Sequence, residues 1–156
     1  MKHTLAATFL FMLIANTAIS QTADTTALIK NRAYAGAEAT KKKYRAIYQL
    51  DTNDPKIVEK AFHNINNALN DPRLKGKIEI EVVTFSTGTD IVLKGTKYEN
   101  DLRALVLNGV TVAQCNNSLK QRNLSRDQIL DFIAVVPSGN GELIIREGDG
   151  WAIVKT

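Results

Sequence analysis

Apolar positions along the chain switch repeatedly between two spacings. Tyr44, Ala46, Tyr48 and Leu50 fall at every second position, the period of a strand. Asp51-Thr52-Asn53-Asp54-Pro55 then turns the chain, with Asp54 placed to cap a helix and Pro55 at its first position. Ile57, Val58, Ala61, Phe62, Ile65, Ala68 and Leu69 follow at helical spacing, which predicts an amphipathic helix over 55–70 ended by Asp71-Pro72. A second strand is expected from Ile78 to Phe85, followed by a polar loop, Ser86-Thr87-Gly88-Thr89-Asp90. Thr96 and Glu99 form a capping-box pattern for a helix from Tyr98 that buries Leu102, Leu105 and Val106 and closes at Asn108-Gly109. Val110–Ala113 reads as a third strand and Ile133–Val136 as a fourth, with a short helix from Ser125 through Asp131 between them. Pro137-Ser138-Gly139 leads to a helix near Glu142–Glu147, and Trp151–Val154 is the last strand.

Five alternations of strand and helix with short connectors define an α/β protein. The expected architecture is a three-layer α/β/α sandwich around a mainly parallel five-stranded sheet. In such sheets ligand-handling groups gather at the carboxyl ends of the strands. The segments to search are therefore Ser86–Asp90, Cys115–Ser118 and Pro137–Gly139.

The ends of the chain and its charge narrow the setting. Lys2 and His3 precede an uncharged run, Leu5–Ile14, and then Ala18-Ile19-Ser20. These are the three parts of a secretory signal peptide, predicted over 1–20 with cleavage after Ser20. The apolar run is shorter than the roughly 20 residues a bilayer span needs, so no membrane association is expected after cleavage. Residues 21–42, rich in Ala, Thr and Lys without a sustained period, read as a flexible lead-in to a domain over 43–156. The expected location is the periplasm or the secreted medium. The excess positive charge is concentrated in residues 21–49, where Lys30, Arg32, Lys41, Lys42, Lys43 and Arg45 face only Asp24 and Glu38. The remaining domain is nearly neutral, so no basic face for nucleic acid is expected.

Chemistry-bearing residues are sparse. One Cys excludes an internal disulfide and any multi-cysteine metal site. His63, the single His beyond the signal, sits on a helix face with Asn64, Asn66 and Asn67 and reads as a solvated surface residue. No glycine-rich nucleotide fingerprint is present, and no metal or cofactor is expected. Cys115 stands apart because it falls just past a central strand, ahead of a helix expected to start around Ser118–Gln121. A thiol at a helix start faces free N–H groups that favour the thiolate, and Lys120 and Arg122 add positive charge nearby. A buried, inert thiol is the alternative for the same position.

Beyond these readings, an ordered set of segments is similar to a known group. Tyr98-Glu99-Asn100-Asp101-Leu102-Arg103, Asn108-Gly109-Val110, Cys115-Asn116-Asn117-Ser118-Leu119, Val136-Pro137-Ser138-Gly139 and Gly150-Trp151 resemble the DsrE/DsrF-like family. The resemblance runs from about Tyr44 to the C-terminus. It implies homo-oligomers, commonly trimers or hexamers, and a sulfur-relay role in which a cysteine after the third strand carries a persulfide between a donor and an acceptor protein. Cys115 holds the matching place. By position, Asn116, Asn117, Ser118, Ser86, Gly88, Ser138 and Gly139 are its expected ligand-binding neighbours. Two features depart from the pattern. A His-Gly that many relatives carry after the second strand is replaced by Phe85-Ser86-Thr87-Gly88, and the export signal contrasts with the cytoplasmic relay proteins. Three functions follow: a sulfur carrier using Cys115, a non-catalytic homo-oligomeric binding or structural module with small-ligand pockets at the strand ends, and a flavodoxin-like cofactor binder suggested by fold type alone.

Overall fold

A computed structural model describes residues 25–156. The segment predicted as a signal peptide lies outside the described residues. Residues 25–32 form an exposed helix, α1, where the sequence shows no sustained period. This segment belongs to a first unit that ends at Glu38, and the second unit spans Ala39–Thr156. No helix among the described residues is long and apolar enough to cross a membrane.

The second unit is built on five strands: β1 (Tyr44–Leu50), β2 (Ile78–Thr84), β3 (Thr111–Cys115), β4 (Ala134–Val136) and β5 (Ala152–Lys155). They lie in the order β4-β3-β2-β1-β5, and every pairing is parallel. Val82 stands opposite Tyr48 on one side and Val112 on the other. Parallel neighbours require crossovers, which are supplied by the helices. Alternate residues of β1 and β2 therefore serve two different cores.

The larger core lies on the face of Ala46, Tyr48, Leu50, Ile80 and Val82. Two helices cover it, α2 (Pro55–Asn70) and α3 (Glu99–Leu107). Asp54 caps α2 as its pattern predicts, its carboxylate accepting the Lys56 N–H at 2.9 Å. The stripe Val58, Ala61, Phe62 and Ile65 is buried, each side chain contributing about 1.5–3 kcal/mol at full burial for those of Val size and above. His63 is exposed on the opposite side of α2.

The other face carries a smaller core of Ile47, Val83, Leu143 and Trp151, with Phe85 and Val136 packed against it. One helix covers it, α5 (Gly139–Gly148), so the three layers are α2 and α3, the sheet, and α5. Glu81 points into this layer from β2 and is buried, its carboxylate 2.7 Å from Arg146 of α5.

Several local boundaries differ from the sequence expectation. The polar segment after β2 is a 3-10 helix, Ser86–Val92, that buries Gly88, Thr89, Ile91 and Val92. Thr96 accepts from the Tyr98 N–H rather than building a box with Glu99, and α3 starts one residue later than expected. The Ser125 box does form with Gln128, but the helix is a single 3-10 turn, Arg126–Gln128. β3 runs on to Cys115, and the short helix α4 (Asn116–Gln121) starts directly after it. α5 starts at Gly139, because Ser138 caps it by accepting the Gly141 N–H at 3.2 Å. The last two differences determine the geometry around Cys115.

Candidate functional site

The carboxyl ends of β2 and β3 and the start of α5 enclose a cleft of about 250 Å³. Phe85, Ser86, Cys115, Asn117, Ser118, Gln121, Ser138, Gly139 and Asn140 line it. No charged side chain is among them. Of the residues expected from sequence, Cys115, Asn117, Ser118, Ser86, Ser138 and Gly139 are brought together here. Asn116 and Gly88 are not.

Gly88 has a packing role instead. A Cβ there would stand 2.2 Å from the Leu50 carbonyl oxygen, so the 3-10 helix can lie against the end of β1 only with glycine at this point. Asn116 is the first residue of α4 and does not line the cleft. The sequence reading missed Phe85, Gln121 and Asn140. Gln121 was within reach of helical spacing, since it follows Asn117 by four residues and shares its face. Asn140 escapes the sequence pattern, which starts the last helix only near Glu142, whereas α5 begins at Gly139.

Cys115 is the N-cap residue of α4 and is 5% exposed, so its thiol opens only into the cleft. Burial alone pushes the thiol up. Hydrogen-bond donors more than offset it: the N–H of Gly139, then the hydroxyl and N–H of Ser118, then the N–H of Asn117. The net effect holds the thiol below its ordinary value of 9.0 and favours the thiolate. Sγ closes no strict capping hydrogen bond to the α4 backbone, so these N–H groups act on the charge of the sulfur. They come from two helix starts, α4 and α5, that converge on one atom. Arg122, a candidate for added positive charge, is engaged elsewhere, in an ion pair with Asp90.

The hydroxyl of Ser118 is oriented. Its oxygen accepts the Ser86 N–H at 3.0 Å, which leaves its own proton to point at Sγ. Ser118 is therefore a donor to the sulfur from inside the first turn of α4, not the cap of a later helix. Ser86 reaches this bond in the left-handed region, φ 53°, which is uncommon for a non-glycine residue and concentrates at functional sites. Arg122 Nη1 lies 3.5 Å from the Ser86 carbonyl, and Asp90, its ion-pair partner, accepts from Asn53 at 2.8 Å. On the far wall, Gly139 allows close approach: a Cβ there would fall 2.7 Å from Phe85 Cδ1.

Among the described residues no cluster of His, Cys, Asp and Glu is placed to hold a metal ion. The chemistry on offer is that of a single activated thiol in a small, neutral, donor-lined cleft at the ends of parallel strands. This defines a class, α/β sandwiches with a strand-end cysteine site. The chain belongs to the DsrE/DsrF-like family, whose sequence profile matches residues 10–156.

Solved structures share the fold. A protein of unknown function from Methanobacterium thermoautotrophicum is 29% identical, with a TM-score of 0.69, over 73% of this chain and 100% of that one. A conserved protein of unknown function from Bacteroides thetaiotaomicron is 14% identical with a TM-score of 0.58, over 78% of this chain and all of that one. No curated protein matches the chain.

Proposed function

We propose that this protein is a sulfur carrier that holds a persulfide on Cys115, exported and acting as a homo-oligomer. The observation that carries the reading is the convergence of Gly139, Ser118 and Asn117 donors on a thiol held below 9.0. Membership of the DsrE/DsrF-like family is consistent with a relay-type role.

The reaction is an exchange at sulfur. The Cys115 thiolate attacks the terminal sulfane sulfur of a polysulfide or of a partner's persulfide. A Cys115 S–S bond forms, the donor's S–S bond breaks, and the donor leaves as a thiolate or shortened polysulfide. In release, an acceptor thiolate attacks the outer sulfur and Cys115 leaves as thiolate. Donors that stabilise negative charge on Sγ favour it both as nucleophile and as leaving group, and they also hold the bound persulfide anion. No net oxidant is needed, because the sulfane sulfur is passed on at constant oxidation level.

Incubation of the protein with polysulfide is expected to add the mass of one sulfur atom, removable by a reducing thiol and missing in Cys115→Ala. An unmodified mass, or an equal adduct on Cys115→Ala, would refute the carrier role. The low exposure of Cys115 favours a second reading, a non-catalytic binding module in which the thiol is only packing. In that case Cys115→Ser keeps fold and assembly, and the native thiol takes up neither sulfur nor a small alkylating reagent until the chain is denatured.

A further inference from the structure

Polar side chains are buried at a penalty unless they are paired, so their placement carries information. Among the described residues five polar or charged side chains are buried: Glu81, Thr84, Thr89, Gln114 and Ser118. Glu81 lies under α5. The other four gather around the end of β3. Ser118 faces the sulfur, and the remaining three form one network beside it.

Gln114, fully buried, is its centre. Thr84 Oγ1 donates to Gln114 Oε1 at 2.6 Å. Gln114 Nε2 donates to Thr89 Oγ1 at 3.0 Å and to the carbonyl oxygen of Cys115 at 2.9 Å. The amide orientation is fixed by its partners. Reversed, it would set Oε1 against the Cys115 carbonyl, acceptor against acceptor.

Consecutive strand residues face opposite sides, so Gln114 holds the Cys115 carbonyl from the face of the sheet opposite the thiol. We propose that Gln114 is a positioning residue for the Cys115 site, locking the Cys115–Asn116 peptide and with it the direction of the thiol. That peptide plane sets where Cβ points and where the α4 N–H groups of Asn117 and Ser118 lie relative to Sγ. Thr89 extends the lock to the opposite wall. It belongs to the 3-10 helix that starts at Ser86, whose N–H holds the Ser118 hydroxyl. Every member of the network is neutral, so it acts on the sulfur through geometry. The inference rests on Cys115 being the working group of the proposed carrier.

The test uses the full chain and its single cysteine. Thiolate formation is followed by ultraviolet absorbance near 240 nm across a pH series, with Cys115→Ser as the baseline. Gln114→Met replaces the amide by an apolar chain of similar volume. Thr84→Val removes the hydroxyl that orients the amide, and Thr84→Ser restores it. Gln114→Met and Thr84→Val are expected to raise the thiolate midpoint by about half a unit to one unit, and so to lower the thiolate fraction at pH 7. Thr84→Ser is expected to return it to the wild-type midpoint.

Variants that melt earlier but titrate like wild type would overturn the proposal and leave the network a structural one. If Gln114→Met fails to fold, the Thr84→Val and Thr84→Ser pair decides the matter alone. A wild-type protein that forms no polysulfide adduct, with midpoints that shift as expected, refutes only the carrier role.

Discussion

Gly139→Ala is the smallest change that tests how the cleft is built. The new Cβ would stand 2.7 Å from Phe85 Cδ1, 3.1 Å from Cγ and 3.3 Å from Cβ. Ordinary contact begins at 3.4 Å. The nearest atoms include the root of the side chain, so turning the ring cannot clear them. Phe85 is packed against the smaller core, so it is the start of α5 that must retreat, by about 0.7 Å, and overpacking of this kind costs about 1–3 kcal/mol. Replacing glycine by alanine at the start of a helix returns about 0.4–1 kcal/mol through the unfolded state. The net expectation is a loss of about 0.5–2 kcal/mol, read by urea denaturation, or about 4 °C of melting temperature per kcal/mol. The same retreat draws the Gly139 N–H, the foremost donor opposing burial, away from Sγ. The thiolate midpoint must therefore rise. Wild-type stability rises with pH between the folded thiol value and 9.0, because the unfolded chain holds the extra proton there, and the variant should lose part of that rise. Phe85→Ala in the alanine background removes Cγ and Cδ1, the two nearest atoms, and gives the clash room. The double variant should be less destabilised than the sum of the singles by about 1 kcal/mol. Additive losses, or a thiolate midpoint that does not move, would refute the account of Gly139 as both spacer and donor.

Two further perturbations separate charge from packing. Ser118→Ala removes the hydroxyl that faces Sγ and the acceptor of the Ser86 N–H, so a higher thiolate midpoint and a loss of about 0.5–1.5 kcal/mol in urea denaturation are expected. An unchanged midpoint would show that backbone N–H groups alone tune the sulfur. Arg146→Met strands the buried Glu81, which keeps no other cation at ion-pair distance among the described residues, and is expected to destabilise the fold by about 3–5 kcal/mol at pH 7. Burial already pushes Glu81 above the ordinary 4.5, and without Arg146 it rises further. The folded variant then keeps a proton that the unfolded chain releases, so its stability should fall as pH rises above 4.5, and the penalty should be smaller at pH 5 than at pH 8. A penalty independent of pH would mean that Arg146 acts through its stacking over Trp151, 4.4 Å from the ring, or its ion pair with Glu142 at 2.9 Å, and not through Glu81.

What the sequence made legible divides along the same physical lines. β1 and α2 are readable because one period and one cap decide each. Tyr44–Leu50 and Pro55–Asn70 appear as the pattern predicts. The end of β3 is not readable that way. Gln114 is polar and breaks the apolar run of Val112 and Ala113, yet it is fully buried because Thr84 and Thr89 satisfy it from other elements and the Cys115 carbonyl from the strand end. Local pattern cannot register partners 25 and 30 residues away. The same holds for α5, whose first turn is glycine-rich and reads as loop until the Ser138 cap and the Phe85 contact are known. Both misread segments meet at Cys115. The sequence places a cysteine between a strand and a helix, and that placement alone leaves an inert thiol and an active one equally open. The distinction lies in which donors reach Sγ, and two of the three residues that supply them, Gly139 and Ser118, owe their positions to Phe85 and Ser86 at the end of a different strand. The titration of this thiol is therefore set by the β2–β3–α5 junction. Substitutions at Phe85 or Ser86, which carry no ionisable group, should move its titration more than changes at the nearby Lys120, whose charge is not among the causes of the shift.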